Sequence, residues 1–281
     1  MKIEEVYNLG KEILKKAHIE SYQNDVLHIV NKCFGMNRQD IILNKNKIID
    51  EKEKQEFLDM INRRTKREPL QYIIGHWYFM DNKFQVGEGV LIPRDDTEVL
   101  VRKCEDYLCH IKNSQVIDLC SGSGIIAICL AKKFKDANIK AVELSEKAFE
   151  FLNKNIVINK ANVKAYNEDI FKYCDNIKNS TFDLIVSNPP YIPTEDIKAL
   201  QAEVLMEPTM ALDGGKDGLY FYENICDKWI SKLKIGGMLA VEIGINQSRD
   251  VIDIFKKYKL KNIGTERDIN NIERIVFGIK V

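Results

Sequence analysis

The chain shows two successive patterns of apolar positions. Up to about residue 67, apolar residues recur three or four positions apart, as on one face of a helix. The positions that carry this pattern are Ile3, Val6, Tyr7, Leu9, Ile13, Leu14, Val26, Leu27, Ile29, Val30, Phe57, Leu58 and Ile61. Because no strand pattern interrupts them and Pro and Gly are scarce, we predict a small all-α bundle.

Residues 69–93 have a different character. Aromatic and β-branched residues crowd together, turn signals occur at 81–82 and 87–89, and Phe84 and Val86 alternate with polar neighbours. This combination predicts a β-hairpin connector.

From about residue 94 onward, helical and strand patterns alternate. Asp95 and Glu98 have capping-box spacing, so we predict that they cap a helix that begins after Pro93. The strand-like segments are VIDL (116–119), IKAVEL (139–144), VKAYNED (163–169), FDLIVSN (182–188), GGMLAVEIG (236–244) and IERIVFGIKV (272–281). Such alternation predicts an α/β domain with a mainly parallel sheet, and we expect the last strand to be antiparallel.

Composition narrows the classes of function. The 42 basic and 42 acidic side chains give a formal net charge of zero, so we expect no direct nucleic-acid binding. Seven cysteines without close metal-ligand pairs predict reduced thiols and no metal site. The amino terminus has no apolar signal region, and no apolar run is long enough to span a membrane. We therefore expect a soluble cytoplasmic protein without a membrane partner.

The segment VIDLCSGSG (116–124) runs from a strand into a glycine turn and then a helix. Glycines let the backbone approach a ligand closely, and the start of a helix offers free N–H groups. Glu143 ends the next strand, where an acid suits the two hydroxyls of a ribose. This pattern predicts a nucleotide-type cofactor and leaves NAD open, since residues 122–127 resemble a dinucleotide fingerprint. Asp118 is expected either to hold a cofactor-bound water or to order the loop.

The tetrapeptide Asn188-Pro189-Pro190-Tyr191 follows an apolar strand, at the end of the sheet where ligands bind in open α/β folds. An Asn188 side-chain oxygen and the Pro189 carbonyl can accept both N–H bonds of a planar nitrogen and aim its lone pair at a methyl sulfonium. The prolines stiffen the loop, and Tyr191 offers a flat face. Asn-Pro is also a common strand-exit turn. Together with Glu143, however, the tetrapeptide favours S-adenosylmethionine and an amide or amino nitrogen as acceptor.

Three longer motifs accompany these sites: REPLQYIIG (67–75), LIPRDDTE (91–98) and EPTMALDGGKDGL (207–219). With them, essentially the whole chain resembles the HemK/PrmC family, which methylates the glutamine side chain of class-1 peptide chain release factors. The resemblance implies a helical substrate-binding domain (1–75), a β-hairpin linker (76–93) and a class I, Rossmann-like methyltransferase domain (94–281).

The resemblance also assigns roles to individual residues. Residues 120–124 would wrap the methionine part of S-adenosylmethionine, Glu143 would bind ribose, and Asp169 and Ile170 would flank adenine. The candidate cofactor residues are Asp118, Cys120, Ser121, Gly122, Ser123, Gly124, Glu143, Asp169, Ile170 and Asn188, and the candidate catalytic residues are Asn188, Pro189, Pro190 and Tyr191.

The chain departs from the family pattern at three of these positions. Cys120 replaces the first glycine of the loop, so its backbone must adopt angles that a side chain permits. Glu143 replaces the commoner Asp, and Ile170 replaces an aromatic residue of some members, so aliphatic contact would replace stacking on adenine. Arg94 is a candidate for binding a carboxylate of the cofactor or substrate.

The leading hypothesis is therefore an S-adenosylmethionine-dependent protein-(glutamine-N5) methyltransferase acting on the Gly-Gly-Gln loop of class-1 release factors, in support of translation termination. Glutamine of a ribosomal protein is a sibling alternative, which the match of the amino-terminal half disfavours. Methylation of an exocyclic amine of DNA or RNA would need a base-flipping apparatus and a basic groove. The sequence shows neither a target-recognition domain nor a net positive charge. A cofactor-binding scaffold without activity would predict loss of Asn188 or of the glycine loop, and both are intact.

Overall fold

A computed structural model describes all 281 residues of the chain. The residues form two compact units. The helical unit contains Met1–His76 and the short segment Gln201–Met206, whereas the sheet unit contains Trp77–Leu200 and Glu207–Val281. The chain thus returns once to the helical unit, at a segment for which the sequence showed no pattern.

The helical unit contains five helices. They are α1 (Ile3–Lys16), α2 (Tyr22–Phe34), α3 (Arg38–Leu43), α4 (Glu51–Thr65) and α5 (Leu70–Ile74). Their apolar faces enclose a core that includes Val26, Phe57 and Ile61, as the helical spacing predicted. The starts of α3 and α4 are capped by Asn37 and Asp50, whose side chains accept hydrogen bonds from backbone N–H groups of the first turn.

A buried cation attaches the segment Gln201–Met206 to this unit. Arg64 of α4 pairs with Asp25 of α2 at 2.7 Å and with Glu203 at 2.9 Å, and Arg64 and Asp25 are both almost fully buried. Arg67 pairs with Glu203 as well, at 3.4 Å. Because a buried charge is costly unless it is paired, the two carboxylates of Asp25 and Glu203 are what makes burial of the Arg64 guanidinium tolerable.

The connector is a β-hairpin, as predicted. Strands β1 (His76–Phe79) and β2 (Asn82–Gln85) are joined by a two-residue turn of Met80 and Asp81. Both turn residues have positive φ, 44° and 61°, as the twist of a tight hairpin requires. The turn therefore lies one residue earlier than the predicted 81–82.

Besides the hairpin, the sheet unit contains a seven-stranded sheet and six α-helices. The strands are β3 (Gln115–Leu119), β4 (Asn138–Glu143), β5 (Val163–Asn167), β6 (Phe182–Ser187), β7 (Leu233–Glu242), β8 (Lys261–Arg267) and β9 (Glu273–Ile279). The helices are α6 (Thr97–Leu108), α7 (Ile125–Lys133), α8 (Glu146–Ile158), α9 (Ile170–Tyr173), α10 (Tyr220–Trp229) and α11 (Ser248–Lys257). The strand order is β5-β4-β3-β6-β7-β9-β8, and every pairing is parallel except those of β9. This confirms the predicted α/β class and its antiparallel last strand.

Helices cover both faces of the sheet. Along β6, Leu184 and Val186 point into a core shared with α6, α7 and α8, whereas Ile185 points into a core shared with α9, α10 and α11. Alternate residues of a strand face opposite sides, so each central strand needs apolar residues in both sets. This explains the continuous apolar runs from which the strands were predicted.

The predicted capping box at Asp95 and Glu98 is wrong. Helix α6 begins at Thr97, no side chain caps it, and Asp96 already has helical angles. Instead, backbone carbonyls of the preceding turn accept hydrogen bonds from the first N–H groups of the helix. The Glu98 N–H, for example, donates to the Asp95 carbonyl at 3.0 Å. The Glu98 carboxylate pairs with Arg102 at 3.1 Å. A tight turn before the helix thus satisfies donors that a cap would otherwise serve.

All seven cysteines are free thiols, and burial raises the pKa of several of them, for example that of Cys129 to about 12. No three His, Cys, Asp or Glu side chains lie close enough together to hold a metal ion. None of the helices is both long and apolar enough to cross a bilayer.

Candidate active site

A cavity of about 460 Å³ lies at the carboxyl edge of the sheet, within the sheet unit. Its size is in the range of small-molecule sites. The candidate residues that line it are Cys120, Gly122, Glu143, Asp169, Ile170, Asn188 and Pro190. Ser121 and Ser123 line a smaller adjoining recess, together with Thr97. The remaining candidates, Asp118, Gly124, Pro189 and Tyr191, lie close to these lining residues in sequence but line neither space themselves.

The glycine loop is held by hydrogen bonds to both flanking strands. The Ser121 N–H donates to the Val142 carbonyl at 3.1 Å, and the Ser121 hydroxyl donates to the Asp118 carbonyl at 2.8 Å. Cys120 has a φ of 58°, in the left-handed region that glycine adopts freely. A residue with a side chain incurs a cost of about 1 kcal/mol there. The chain therefore keeps the loop conformation that a glycine would adopt, with Cys120 in the cavity wall.

Gly124 allows the loop to pack against α8. Its φ is 86°, and a methyl group added there would lie 2.4 Å from Leu152 Cδ1. We expect Gly124→Ala to lower the free energy of unfolding by about 2–3 kcal/mol, through backbone strain and overpacking. Gly122→Ala is the matched control because Gly122 also has positive φ but faces open space, and it should lose only about 1 kcal/mol. Urea denaturation measures both, and equal losses would mean that packing against Leu152 is unimportant.

Asp118 is fully buried beneath the loop. Its Oδ2 accepts a hydrogen bond from the Ala127 N–H at 3.2 Å, whereas Oδ1 has no protein partner. Burial raises the pKa of Asp118 to about 8, although the bond from Ala127 opposes the rise. Through Oδ2, Asp118 holds the first turn of α7, which directly follows the glycine loop. Its two expected roles, binding a cofactor-bound water and ordering the glycine loop, stay predictions.

The Glu143 carboxylate connects the ends of β3 and β4. Oε2 accepts from the Gly122 N–H and Oε1 accepts from the Ser145 N–H, each at 2.8 Å. Burial raises the pKa of Glu143, and these bonds oppose the rise. Each carboxylate oxygen retains a second lone pair, so Glu143 can still accept the two hydroxyls of a ribose. These acceptors in the cavity wall therefore fit the ribose of S-adenosylmethionine.

Aromatic side chains that the sequence analysis missed line the cavity near Ile170. The Phe171 ring stacks on Phe221, with centroids 6.0 Å apart, and meets Tyr220 edge to face at 6.1 Å. Asp169 caps α9 by accepting from the Phe171 N–H at 2.8 Å. These rings supply a flat apolar surface beside the position where Ile170 replaces an aromatic residue. The aromatic run at 220–222 was the available signal.

The Asn188 loop is supported from several elements. The Asn188 amide nitrogen donates to the Thr97 hydroxyl at 3.3 Å, and the Tyr191 carbonyl accepts from the Gln247 side chain at 2.9 Å. A methyl group added at Gly214 would lie 2.7 Å from Tyr191 Cα, so this glycine lets residues 207–219 pack directly on the loop. The Tyr191 side chain is largely buried, which raises the pKa of its phenol.

Arg94 forms an ion pair with the buried carboxylate of Glu207. The second Glu207 oxygen accepts from the Ile92 N–H at 2.9 Å. The motifs 91–98 and 207–219 are therefore joined by this pair, beside the cavity. Arg94 does bind a carboxylate, but it is one that the chain itself supplies.

Two family models match the chain: "PrmC N-terminal domain" over residues 5–75 and "Methyltransferase small domain" over residues 95–216. The chain is 37% identical to a release factor glutamine methyltransferase of Geobacter sulfurreducens, over 98% of this chain and 96% of the relative. It is also 37% identical to the protein of that name in Clostridium botulinum, over 95% of each. The corresponding Fusobacterium nucleatum protein is 34% identical, over 98% of this chain and 78% of the relative.

A solved structure, the hMettl16 catalytic domain in complex with MAT2A 3'UTR hairpin 1, superposes with a TM-score of 0.57. It is 12% identical and covers 85% of each chain, so it shows the methyltransferase fold alone. Full-length identity above 30% to several relatives is the stronger finding, and it agrees with the cavity and the Asn188 loop. The chain is an S-adenosylmethionine-dependent methyltransferase that belongs to the release factor glutamine methyltransferase family.

Proposed function

We propose that the protein transfers a methyl group from S-adenosylmethionine to the side-chain amide nitrogen of the glutamine in the Gly-Gly-Gln loop of class-1 peptide chain release factors. The observation that carries the proposal is that Asn188 and Pro190 lie in the wall of the same cavity as Gly122 and Glu143. The acceptor loop and the candidate cofactor-binding groups thus face one space. The relatives are named as release factor glutamine methyltransferases, which indicates the class of acceptor.

When bound, S-adenosylmethionine supplies an electrophilic methyl group on a positively charged sulfur. The methyl carbon would bond to the glutamine nitrogen, and the electron pair of the broken carbon–sulfur bond would stay on sulfur. The nitrogen then loses a proton to water, because a protonated amide is strongly acidic. Within this reaction, the residues of the loop must orient the amide and stabilise the positive charge that develops on its nitrogen.

We assign these tasks to Asn188 and Pro189. The Asn188 side-chain oxygen and the Pro189 carbonyl would each accept one N–H of the glutamine amide, which turns the nitrogen lone pair toward the cavity. Both oxygens are partly negative, so they stabilise a nitrogen that becomes positive during attack. Glu143 would hold the ribose and so fix the distance to the methyl group. Tyr191 is predicted to present a flat face to the amide.

The amide of a protein substrate is favoured over an exocyclic amine of DNA or RNA. The formal net charge of zero gives no general attraction for a polyanion. A family model for the PrmC amino-terminal domain also covers residues 5–75, and we propose that these residues help to hold the release factor. A substrate that acts in translation termination places the enzyme in the cytoplasm.

A methyl-transfer assay with labelled S-adenosylmethionine tests the proposal. Purified class-1 release factor, a release factor whose Gly-Gly-Gln glutamine is replaced by alanine, a mixture of ribosomal proteins and duplex DNA are offered separately. We expect label on the first substrate only. Label on DNA or on a ribosomal protein, with none on the release factor, would contradict the proposal.

A further inference from the structure

A buried carboxylate, Glu242, lies directly behind the Asn188 loop. Parallel pairing of β6 and β7 aligns Ser187 with Val241. Asn188, the first residue after β6, therefore lies beside Glu242, the last residue of β7. Val186 precedes Asn188 by two positions and faces the core shared with α6, so Asn188 and Glu242 both lie on the α6 side of the sheet. Glu242 is only 2% exposed, and its Oε2 has no hydrogen-bond partner.

Thr97, the first residue of α6, directs its side chain toward Asn188 and Glu242. It is fully buried, and its Oγ1 accepts the hydrogen bond from the Asn188 amide nitrogen. Burial raises the pKa of Glu242 to about 7, while side-chain hydrogen bonding from Thr97 and Asn188 opposes the rise. All three polar side chains therefore interact within one buried cluster.

An asparagine amide has two ends of almost the same shape, and its partners decide which end faces which way. Accepting an N–H of a substrate amide requires that Asn188 direct its oxygen at the substrate and its nitrogen into the protein. Thr97 can accept from that nitrogen only if the Thr97 hydroxyl proton points elsewhere. Above its pKa of about 7 the Glu242 carboxylate is ionised, so it accepts hydrogen bonds and donates none. In that state Glu242 is suited to accept the hydrogen bond of the Thr97 hydroxyl.

We propose that Thr97 and Glu242 are positioning residues that fix the orientation of the Asn188 amide. The hydroxyl of Thr97 accepts from Asn188 Nδ2 and donates to the Glu242 carboxylate, which leaves Asn188 Oδ1 free to face the substrate amide. Neither residue needs to touch the substrate. The inference rests on the proposed function, because it assumes that Asn188 accepts an N–H of the acceptor.

Thr97 offers a matched pair of variants that separates positioning from packing. Thr97→Val keeps the shape of the side chain and loses the hydroxyl, whereas Thr97→Ser keeps the hydroxyl and loses a methyl group. We expect Thr97→Val to lower kcat by about 10- to 100-fold with KM for S-adenosylmethionine within about twofold, because only an interaction of the transition state is lost. Thr97→Ser should stay within about threefold of the wild type. Equal loss in both variants, or a wild-type kcat in Thr97→Val, would overturn the proposal.

Glu242→Gln and a double-mutant cycle test the rest of the cluster. The Gln side chain can donate as well as accept, so it no longer dictates the direction of the Thr97 hydroxyl, and kcat should fall by about 10-fold or more. In an Asn188→Ala background, Thr97→Val should change the residual single-turnover rate by less than about twofold. A further 10-fold fall there would mean that Thr97 acts independently of Asn188.

The wild-type arm of the same assay separates the two proposals. If the wild type does not methylate release factor, the proposed function fails, whereas an active wild type with an equally active Thr97→Val variant refutes only the positioning role. Binding of S-adenosylmethionine to each variant by calorimetry reports whether the sheet unit is folded. If Thr97→Val does not bind, Glu242→Gln gives the result instead: its loss of kcat in the wild-type background should shrink to less than about twofold in the Asn188→Ala background.

Discussion

Replacement of Asn188 by alanine is expected to lower kcat for methyl transfer by about 10³-fold or more. Removing a preorganised polar group that acts on developing charge typically has an effect of this size. The same change should leave the affinity for S-adenosylmethionine within about tenfold of the wild type, because the lost interaction belongs mainly to the transition state. Many other residues line the cavity, including Glu143, the candidate for binding the ribose, so loss of the Asn188 side chain removes only a small part of the cofactor contacts.

Measurement of kcat by labelled methyl transfer and of cofactor affinity by calorimetry gives both quantities. Asn153→Ala is a suitable control, because Asn153 lies on an exposed part of α8 and bonds only to the carbonyl of Phe149. We expect no change in that variant. If Asn188→Ala lost cofactor affinity by the same factor as kcat, Asn188 would be chiefly a cofactor-binding residue.

The second large effect is expected at Arg64, in the helical unit. Arg64→Ala leaves Asp25 buried without its cation, and breaking a buried pair in this way typically lowers the free energy of unfolding by about 3–5 kcal/mol. It also removes the pairing of Glu203 at 2.9 Å. We therefore expect the segment Gln201–Met206 to become more susceptible to proteolysis.

Arg63→Ala is the matched control for this stability measurement. Arg63 is adjacent in sequence and also pairs with a glutamate, Glu68, but the Arg63 side chain is 45% exposed rather than 7% for Arg64. Exposed pairs contribute only about 0–1 kcal/mol. Urea unfolding followed by circular dichroism should separate the two variants clearly. Similar losses in both variants would show that burial does not determine how much the Arg64–Asp25 pair contributes to the free energy of unfolding.

The parts of the molecule that the sequence predicted are those with a local signal. The glycine loop lies between an apolar strand and a helix, and Asn188 directly follows another apolar strand. Because the strands of a parallel sheet end at the same edge, both segments were predicted to lie there. The helical unit was predicted from apolar residues that recur three or four positions apart in the sequence. The start of α6 was predicted wrongly because a turn of backbone bonds at Arg94 and Asp95 replaces the side-chain cap.

The parts that the sequence did not predict depend on contacts between distant residues. Thr97 and Glu242 meet Asn188 only because β6 pairs with β7 and α6 packs over their ends. Strand β8 has few apolar residues and a single neighbour, β9, so it lacks the continuous pattern of a buried strand. Glu203 pairs with Arg64 although the two residues are 139 positions apart in the chain. A pattern of neighbouring residues cannot predict such a distant pairing.

The supports of the Asn188 loop also have a consequence for the order in which the site can form during synthesis. Thr97 is made before the loop, but Gly214, Glu242 and Gln247 are made after it. A nascent chain that has reached residue 200 contains the whole tetrapeptide and the glycine loop but lacks β7 and the Gln247 amide that holds the Tyr191 carbonyl. Completion of the acceptor side therefore waits for residues 214–247, while the groups assigned to the cofactor are already present.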